Sequence, residues 1–166
     1  MATFTIKGKP FSTNGDLPAV GSDAPDFKLT NSRLKDKALA DFKNKKKIIY
    51  TVTSLDTDVC EDTAKEFTQA FGNRDDAVLL IVSSDLPFAH PRIASMQDLE
   101  QATVLSGMRN RNFAKSYGVL IQDGPLAGLM ARSVVVIDEY NKVIYTELVE
   151  EITNAPDYGQ ALAALT

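Results

Sequence analysis

Residues 47–60 read KIIYTVTSLDTDVC, and this stretch decides the fold. Its first half, Lys47–Thr53, is rich in β-branched and aromatic residues, as is typical of a central strand. From Thr57 to Phe71 the apolar residues instead follow the spacing of a helix. We therefore expect a strand that turns directly into a helix, with Cys60 in the first helical turn.

The remaining pattern places further elements around this unit. Strands are predicted at 2–8, 11–13, 26–30, 77–83, 103–105, 133–138 and 142–148, and helices at 95–101, 110–117 and 156–165, with a loop at 85–92. Strands that alternate with helices, followed by a hairpin and a closing helix, indicate a mixed sheet flanked by helices. No repeat or linker interrupts the pattern, so we expect an α/β fold in a single domain over residues 1–166.

Composition excludes several classes of protein. The net charge of −4 argues against a nucleic-acid partner, which requires a basic surface. No apolar stretch approaches the ~20 residues of a membrane span, and Met1–Lys9 lacks the apolar core of a signal peptide, so a cytoplasmic location is expected. The basic run Lys45–Lys47 is interpreted as a solvated edge or turn, with a patch for an acidic partner as the alternative. Neither a His/Cys cluster nor a glycine-rich phosphate loop is present, so we expect no metal and no cofactor.

Cys60 is the only cysteine, so it cannot form an internal disulfide. Near a helix start, free backbone N–H groups and the helix dipole favour the thiolate, which is the nucleophilic form. Thr57 or Asp56 is a credible N-cap, and the Thr57 hydroxyl lies three residues before the sulfur. Spacing alone leaves two interpretations open: Cys60 packs inertly beneath a capped helix, or it is a nucleophile.

Four separated motifs carry a resemblance to a known family. Residues 54–60, SLDTDVC, resemble the active-site motif of the thiol peroxidase branch of the peroxiredoxins, which usually reads SIDTGVC. Residues 84–89 (SDLPFA) resemble the signature loop of that branch. The stretch 123–138 resembles its late arginine segment, and 4–27 its N-terminal hairpin. The similarity runs almost from end to end.

The resemblance implies a thioredoxin-like fold with an N-terminal β-hairpin, usually as a homodimer. It implies that Cys60 is the peroxidatic cysteine, which attacks the peroxide and becomes sulfenic acid. Thr57 would bond to the peroxide, and Arg132 would hold the thiolate and stabilise charge as the O–O bond breaks. The alternative for Arg132 is a surface ion pair.

Three positions depart from the family pattern. Thr53 replaces a proline that shields the cysteine, so we expect a looser chain and an extra N–H there. Asp58 replaces a common glycine and adds a carboxylate near the thiolate, where it opposes ionisation unless it points to solvent. Ala94 stands where the resolving cysteine is expected, so no internal disulfide can form, whether this change is natural or introduced.

Two further features are interpreted with alternatives. His90, the only histidine, is read as a loop residue in contact with solvent, with a proton relay as the alternative. Phe88, Met108 and Leu129 either form an apolar rim that favours alkyl substrates or are ordinary packing residues.

The leading hypothesis is a peroxidase that reduces hydrogen peroxide or an alkyl hydroperoxide. Because Ala94 cannot resolve the sulfenic acid, we expect thioredoxin or another external thiol reductant to regenerate Cys60. The alternatives are the Cys60 of a partner subunit and a direct reductant. The first alternative is a redox-sensing thiol module of the same fold with poor turnover. The second is a scaffold in which Cys60 is inert.

Overall fold

A computed structural model describes the whole chain except the side chain of Gln97. The strands are β1 (Thr3–Ile6), β2 (Lys9–Ser12), β3 (Leu29–Thr30), β4 (Asp36–Lys37), β5 (Lys46–Thr51), β6 (Ala77–Ser83), β7 (Ala102–Ser106), β8 (Ser133–Ile137) and β9 (Val143–Leu148). The α-helices are α1 (Asp58–Phe71), α2 (His90–Gln97), α3 (Asn112–Ser116) and α4 (Tyr158–Ala163), and short 3₁₀ helices cover Leu39–Phe42 and Pro87–Ala89.

The main sheet has β5 near its centre. Within the described residues it contains seven strands in the order β4-β3-β7-β6-β5-β8-β9. β5 pairs in parallel with β6 and antiparallel with β8, and the loop after β5 leads into α1. A strand paired on both sides has its backbone groups satisfied by its neighbours, so β5 provides a fixed base for the residues that follow it.

The two faces of the sheet bury two separate groups of side chains, because successive residues of a strand point to opposite sides. Helices α1, α2 and α4 cover one face, whose core includes Ile48, Tyr50, Val52, Cys60, Ala64, Phe67, Val134 and Ala161. Helix α3 covers the other face, whose core includes Phe27, Ile49, Leu80, Val82, Phe113, Tyr117 and Val135. Cys60 therefore lies in the interior between α1 and the sheet.

The N-terminal hairpin of β1 and β2 packs against the C-terminal part of the chain. The N–H of Thr5 donates to the carbonyl of Glu150 at 2.7 Å, and the N–H of Ile152 donates to the carbonyl of Thr5 at 2.9 Å. Phe4 is buried in a small cluster with Ile121, Ala131 and Ile152. The hairpin thus holds the chain around Ile152, which contributes to the site described below.

Several predicted elements are shifted in the structure. The helix expected at 95–101 is α2, which begins at His90, because Pro91 in the first turn of a helix loses no hydrogen bond. The interpretation of Lys45–Lys47 as a solvated edge or turn holds for Lys45, which is exposed in a bend before β5. It was wrong for Lys47, which lies in β5, is fully buried, and donates through Nζ to Asn141 Oδ1 at 2.7 Å. Strand β4 has two residues and was not predicted.

None of the helices in the part of the chain that the structure describes is both long enough and apolar enough to cross a membrane.

Gly118 allows a close approach between two segments, and this generates a stability prediction. It has φ +69°, and a Cβ there would lie 2.0 Å from the carbonyl oxygen of Asp16. Gly8, in the turn between β1 and β2, has φ +79° but open space around its Cβ position. We expect Gly8→Ala to lower the free energy of unfolding by about 1 kcal/mol through its backbone conformation.

Gly118→Ala should cost at least about 2 kcal/mol more than Gly8→Ala, because the new methyl group must also displace backbone atoms. Urea unfolding of both variants measures the difference. Equal losses in the two variants would contradict this account of the Gly118 contact.

Candidate active site

The loop between β5 and α1 places Cys60 in the first turn of α1. Thr57 is the N-cap residue, and its hydroxyl oxygen accepts from the backbone N–H of Cys60 at 3.3 Å. The same hydroxyl donates to the carbonyl of Ser54 at 3.1 Å. Cys60 is fully buried, so a substrate must pass between the surrounding side chains to reach its sulfur.

Asp85 fixes the loop that precedes the helix. Its carboxylate accepts from Ser54 Oγ at 2.6 Å, from the N–H of Leu55 at 2.7 Å and from Ser83 Oγ at 2.7 Å. Three donors on one carboxylate hold the end of β6 against the loop after β5. Sequence reasoning placed Asp85 within a motif but did not identify this role.

Arg132 lies immediately before β8 and is only 2% exposed. Its Nη2 donates to Cys60 Sγ at 3.1 Å, and its Nε donates to the carbonyl of Ile152 at 2.9 Å. Its Nη1 donates to Tyr50 Oη at 2.7 Å and to Thr63 Oγ1 at 3.1 Å. The guanidinium is therefore a buried, oriented donor to the sulfur, and the alternative of a surface ion pair does not apply.

Tyr50 and Thr63 hold the guanidinium in place, and sequence reasoning missed both. Burial raises the pKa of Tyr50 despite the opposing charge of Arg132, so the side chain stays a neutral phenol. Tyr50 Oη donates to Thr63 Oγ1 at 2.7 Å, and Thr63 Oγ1 donates to the carbonyl of Val59 at 2.7 Å. The sequence does contain a sign of both residues, because each places a hydroxyl group at a position expected to face the core. Tyr50 lies in a central strand, and Thr63 lies one turn after Cys60.

Opposing effects set the ionisation of Cys60. Burial raises the pKa of the thiol, but the charge of Arg132 and the hydrogen bonds around the sulfur, above all the one from Thr53, bring it below its ordinary value. Asp58 is exposed, as is the neighbouring Asp62. Because these carboxylates are in contact with water, their repulsion of the thiolate is weakened, and the effect of Arg132 prevails.

Thr53 contacts the sulfur directly. Its Oγ1 lies 3.3 Å from Cys60 Sγ, and the side chain is only 7% exposed. The sequence predicted a looser chain at this position, whereas the structure shows a buried hydroxyl against the thiolate.

A cavity of about 240 Å³ is lined by Thr53 and Arg132, the two side chains that contact Cys60 Sγ. Its polar lining includes Thr53, Thr57, Asp58 and Arg132, and its apolar lining consists of Ile6, Val59, Leu126 and Ile152. Of the two interpretations of Phe88, Met108 and Leu129, an apolar rim does not apply to this cavity, because Met108 and Leu129 line a different cavity and Phe88 is 71% exposed. The hairpin and the loops near 126 and 152 form the apolar wall instead.

The prediction that His90 is a loop residue in contact with solvent was also wrong. His90 begins α2 and is buried, and both ring nitrogens lack a hydrogen-bond partner among the described residues. Burial lowers the pKa of the imidazole, so it is neutral.

Ala94, half-buried on the same helix, lines a cavity next to His90 that is separate from the one at Cys60. Within the described residues, no group of three or more His, Cys, Asp or Glu is arranged to hold a metal ion.

Replacing Arg132 with glutamine tests the electrostatic account of the site. Removing the charge 3.1 Å from Sγ should raise the pKa of Cys60 by about one to two units, because the thiolate loses its nearest positive charge. The thiolate fraction then falls at every pH below the new pKa. Thiolate absorbance near 240 nm, with Cys60→Ser as the blank, measures this change.

Arg74→Gln is the matched control, since Arg74 pairs with Asp76 near the surface. It should leave the pKa of Cys60 unchanged. Equal pKa values of Cys60 in the wild-type and Arg132→Gln proteins would contradict the electrostatic pairing of Arg132 with the thiolate.

Comparison with known proteins identifies the family. The Redoxin family model matches residues 19–162. The chain is 39% identical over 165 residues to a thiol peroxidase from Corynebacterium glutamicum, covering 99% of both chains. A peroxiredoxin-like protein from Aquifex aeolicus matches with TM-score 0.93 and 36% identity, covering 99% of this chain and 96% of that one.

A thiol peroxidase from Chromobacterium violaceum matches with TM-score 0.90 and 27% identity, covering 98% of this chain and 94% of that one. These likenesses confirm the thioredoxin-like α/β fold and the resemblance to the thiol peroxidase branch of the peroxiredoxins. The chain therefore belongs to the Redoxin family.

Proposed function

We propose that this chain is a thiol peroxidase in which the Cys60 thiolate reduces a peroxide. The observation that carries the proposal is the contact of 3.1 Å between Arg132 Nη2 and Cys60 Sγ, in a buried site beside an open cavity. A buried thiolate needs an opposite charge, and here that charge also borders the space where a substrate can bind. The full-length likeness to thiol peroxidases supports the same function.

The proposed reaction assigns roles to three residues. Cys60 Sγ attacks one peroxide oxygen, the O–O bond breaks, and the sulfur is oxidised to sulfenic acid. The other oxygen leaves with the electron pair of the bond and takes up a proton as water or an alcohol. Arg132 stabilises the negative charge on the departing oxygen. Thr57 can donate to the bound peroxide once its hydroxyl rotates away from the Ser54 carbonyl.

The substrate is hydrogen peroxide or an alkyl hydroperoxide. The polar end of either molecule fits against Thr57 and Arg132 in the cavity. An alkyl group finds apolar contacts on Ile6, Leu126 and Ile152. The same site can thus accept both, with the apolar wall favouring the alkyl substrate.

Regeneration of Cys60 requires an external reductant. Since the chain contains no second cysteine, thioredoxin or another external thiol condenses with the sulfenic acid, which forms a mixed disulfide and releases water. A second thiol then reduces this disulfide and frees Cys60. The lack of a second cysteine also favours the alternative of a redox-sensing module, in which the sulfenic acid persists and turnover is slow. The rate of regeneration decides between these two functions.

We also propose that residues 1–166 form one domain that acts as a cytoplasmic homodimer. Backbone hydrogen bonds from β1 to the region of Ile152 support one domain. The exposed apolar side chains of Leu86, Phe88 and Met96, which are 57%, 71% and 64% exposed, support self-association. Dependence on an external thiol suits the reducing cytoplasm.

One equivalent of hydrogen peroxide should convert Cys60 to sulfenic acid. Trapping with dimedone, followed by peptide mass spectrometry, locates the adduct on Cys60 and shows no adduct in Cys60→Ser. Excess peroxide should drive the unresolved sulfenic acid on to sulfinic acid. A reduced Cys60 after exposure to peroxide would contradict the proposed function.

Ala94→Cys should restore the missing step. If position 94 corresponds to that of a resolving cysteine, the oxidised variant forms a disulfide between residues 60 and 94 and resists over-oxidation. Turnover with thioredoxin should then exceed that of the wild-type protein. Ser95→Cys, one residue further along the exposed side of α2, is the control and should not form the bond. Identical disulfide yields in the two variants would contradict the assignment of position 94.

A further inference from the structure

We propose that Thr53 is a catalytic residue whose hydroxyl donates a hydrogen bond to the Cys60 sulfur. The family that this chain resembles has proline at this position. Proline has neither a hydroxyl group nor a backbone N–H. Threonine at position 53 therefore adds a hydrogen-bond donor beside Cys60 Sγ, in addition to removing a rigid residue. That this hydrogen bond serves catalysis rests on the proposed function, whereas the test measures the pKa of Cys60 and does not depend on that function.

The position of Thr53 brings its hydroxyl to the sulfur from the side of β5. Thr53 follows the end of β5 by two residues, so the strand fixes the position of its backbone. Its Oγ1 lies 3.3 Å from Sγ, while Arg132 Nη2 approaches the same atom at 3.1 Å from the start of β8. Two donors from neighbouring strands thus converge on one sulfur.

The direction of the hydrogen bond follows from what the sulfur can accept. Thiolate sulfur has no proton to donate, and Arg132 already donates to it. In the described part of the chain, the Thr53 hydroxyl has no hydrogen-bond partner other than Cys60. A buried hydroxyl that leaves its proton unpaired is costly, so this proton points at Sγ.

The two threonines beside the sulfur therefore differ in the resting site. The Thr57 hydroxyl sends its proton to the carbonyl of Ser54 and accepts from the N–H of Cys60. The Thr53 hydroxyl has its proton available for the sulfur. Thr53 stabilises the thiolate before substrate binds, and Thr57 is left to orient the peroxide.

Other groups around the sulfur do not account for this contribution. The titratable groups around the site are Arg132 beside β8, Tyr50 from β5 and Asp58 from the first turn of α1, a turn that also carries Glu61. Thr53 does not titrate, so replacing it changes one hydrogen bond while every charge stays in place. An extra donor stabilises the thiolate and also lowers its intrinsic nucleophilicity.

The test compares Thr53→Val, which keeps the shape and removes the hydroxyl, with Thr53→Ser, which keeps the hydroxyl. The pKa of Cys60 is measured from thiolate absorbance, without peroxide. We expect Thr53→Val to raise the pKa by about one unit, in line with the loss of one hydrogen bond to a charged group. Thr53→Ser should restore the wild-type value.

Alkylation of Cys60 by iodoacetamide gives a second readout. Well below the pKa, the rate in Thr53→Val should fall several-fold, up to about tenfold, because a smaller fraction of Cys60 is ionised. Thr68→Val is the matched control, since Thr68 is buried on α1 and donates to the carbonyl of Ala64 at 2.7 Å, away from the sulfur. It should leave both readouts unchanged.

A wild-type pKa in Thr53→Val, or an equal rise in Thr53→Ser, would overturn the proposal. Circular dichroism checks that each variant folds, and Thr53→Ala provides a second variant without the hydroxyl if the valine variant does not. Failure of the wild-type protein to react with peroxide would overturn the proposed function alone, because the pKa is measured in its absence.

Discussion

The site depends on a buried guanidinium held against a buried sulfur. Arg132 is removed from water, and a charge in that position is costly unless it is paired and hydrogen-bonded. Every nitrogen of its fork has an acceptor: the Ile152 carbonyl, two hydroxyl groups and Cys60 Sγ. At an effective dielectric near 20, two unit charges about 4 Å apart attract by about 4 kcal/mol. This attraction and the hydrogen bonds around the sulfur together outweigh the cost of burying the thiolate.

The sheet brings these groups together from distant parts of the chain. β5 carries Tyr50 and leads to Thr53, and it pairs with β8, next to which Arg132 lies. α1 carries Cys60 and Thr63 on the face that packs against the sheet. Since β5 is paired on both sides, it holds the residues that follow it in a fixed position beside β8. The hairpin and the Ile152 region then close the apolar side of the cavity.

Part of this arrangement could be predicted from the sequence. The pattern of 47–60 predicts the strand, the turn and a cysteine at a helix start, because these depend on local propensity. Tyr50 and Thr63 could not be identified as supports for Arg132, since their roles require contacts between segments far apart in the chain. The burial of His90 could not be predicted, because Pro91 is compatible both with a loop and with the first turn of a helix. Thr53 was read as the loss of a proline, and only the structure shows the position of its hydroxyl.

The central claim is that Cys60 is arranged to react with peroxides and not merely to ionise. Stopped-flow rates of the reduced protein with hydrogen peroxide and with iodoacetamide, each divided by the rate for free cysteine thiolate, separate these properties. The account predicts a ratio for peroxide at least about a hundredfold larger than the ratio for iodoacetamide, because oriented donors stabilise only the breaking O–O bond. Equal ratios for the two reagents would show that the site provides an ionised thiol and nothing more, and would contradict the account.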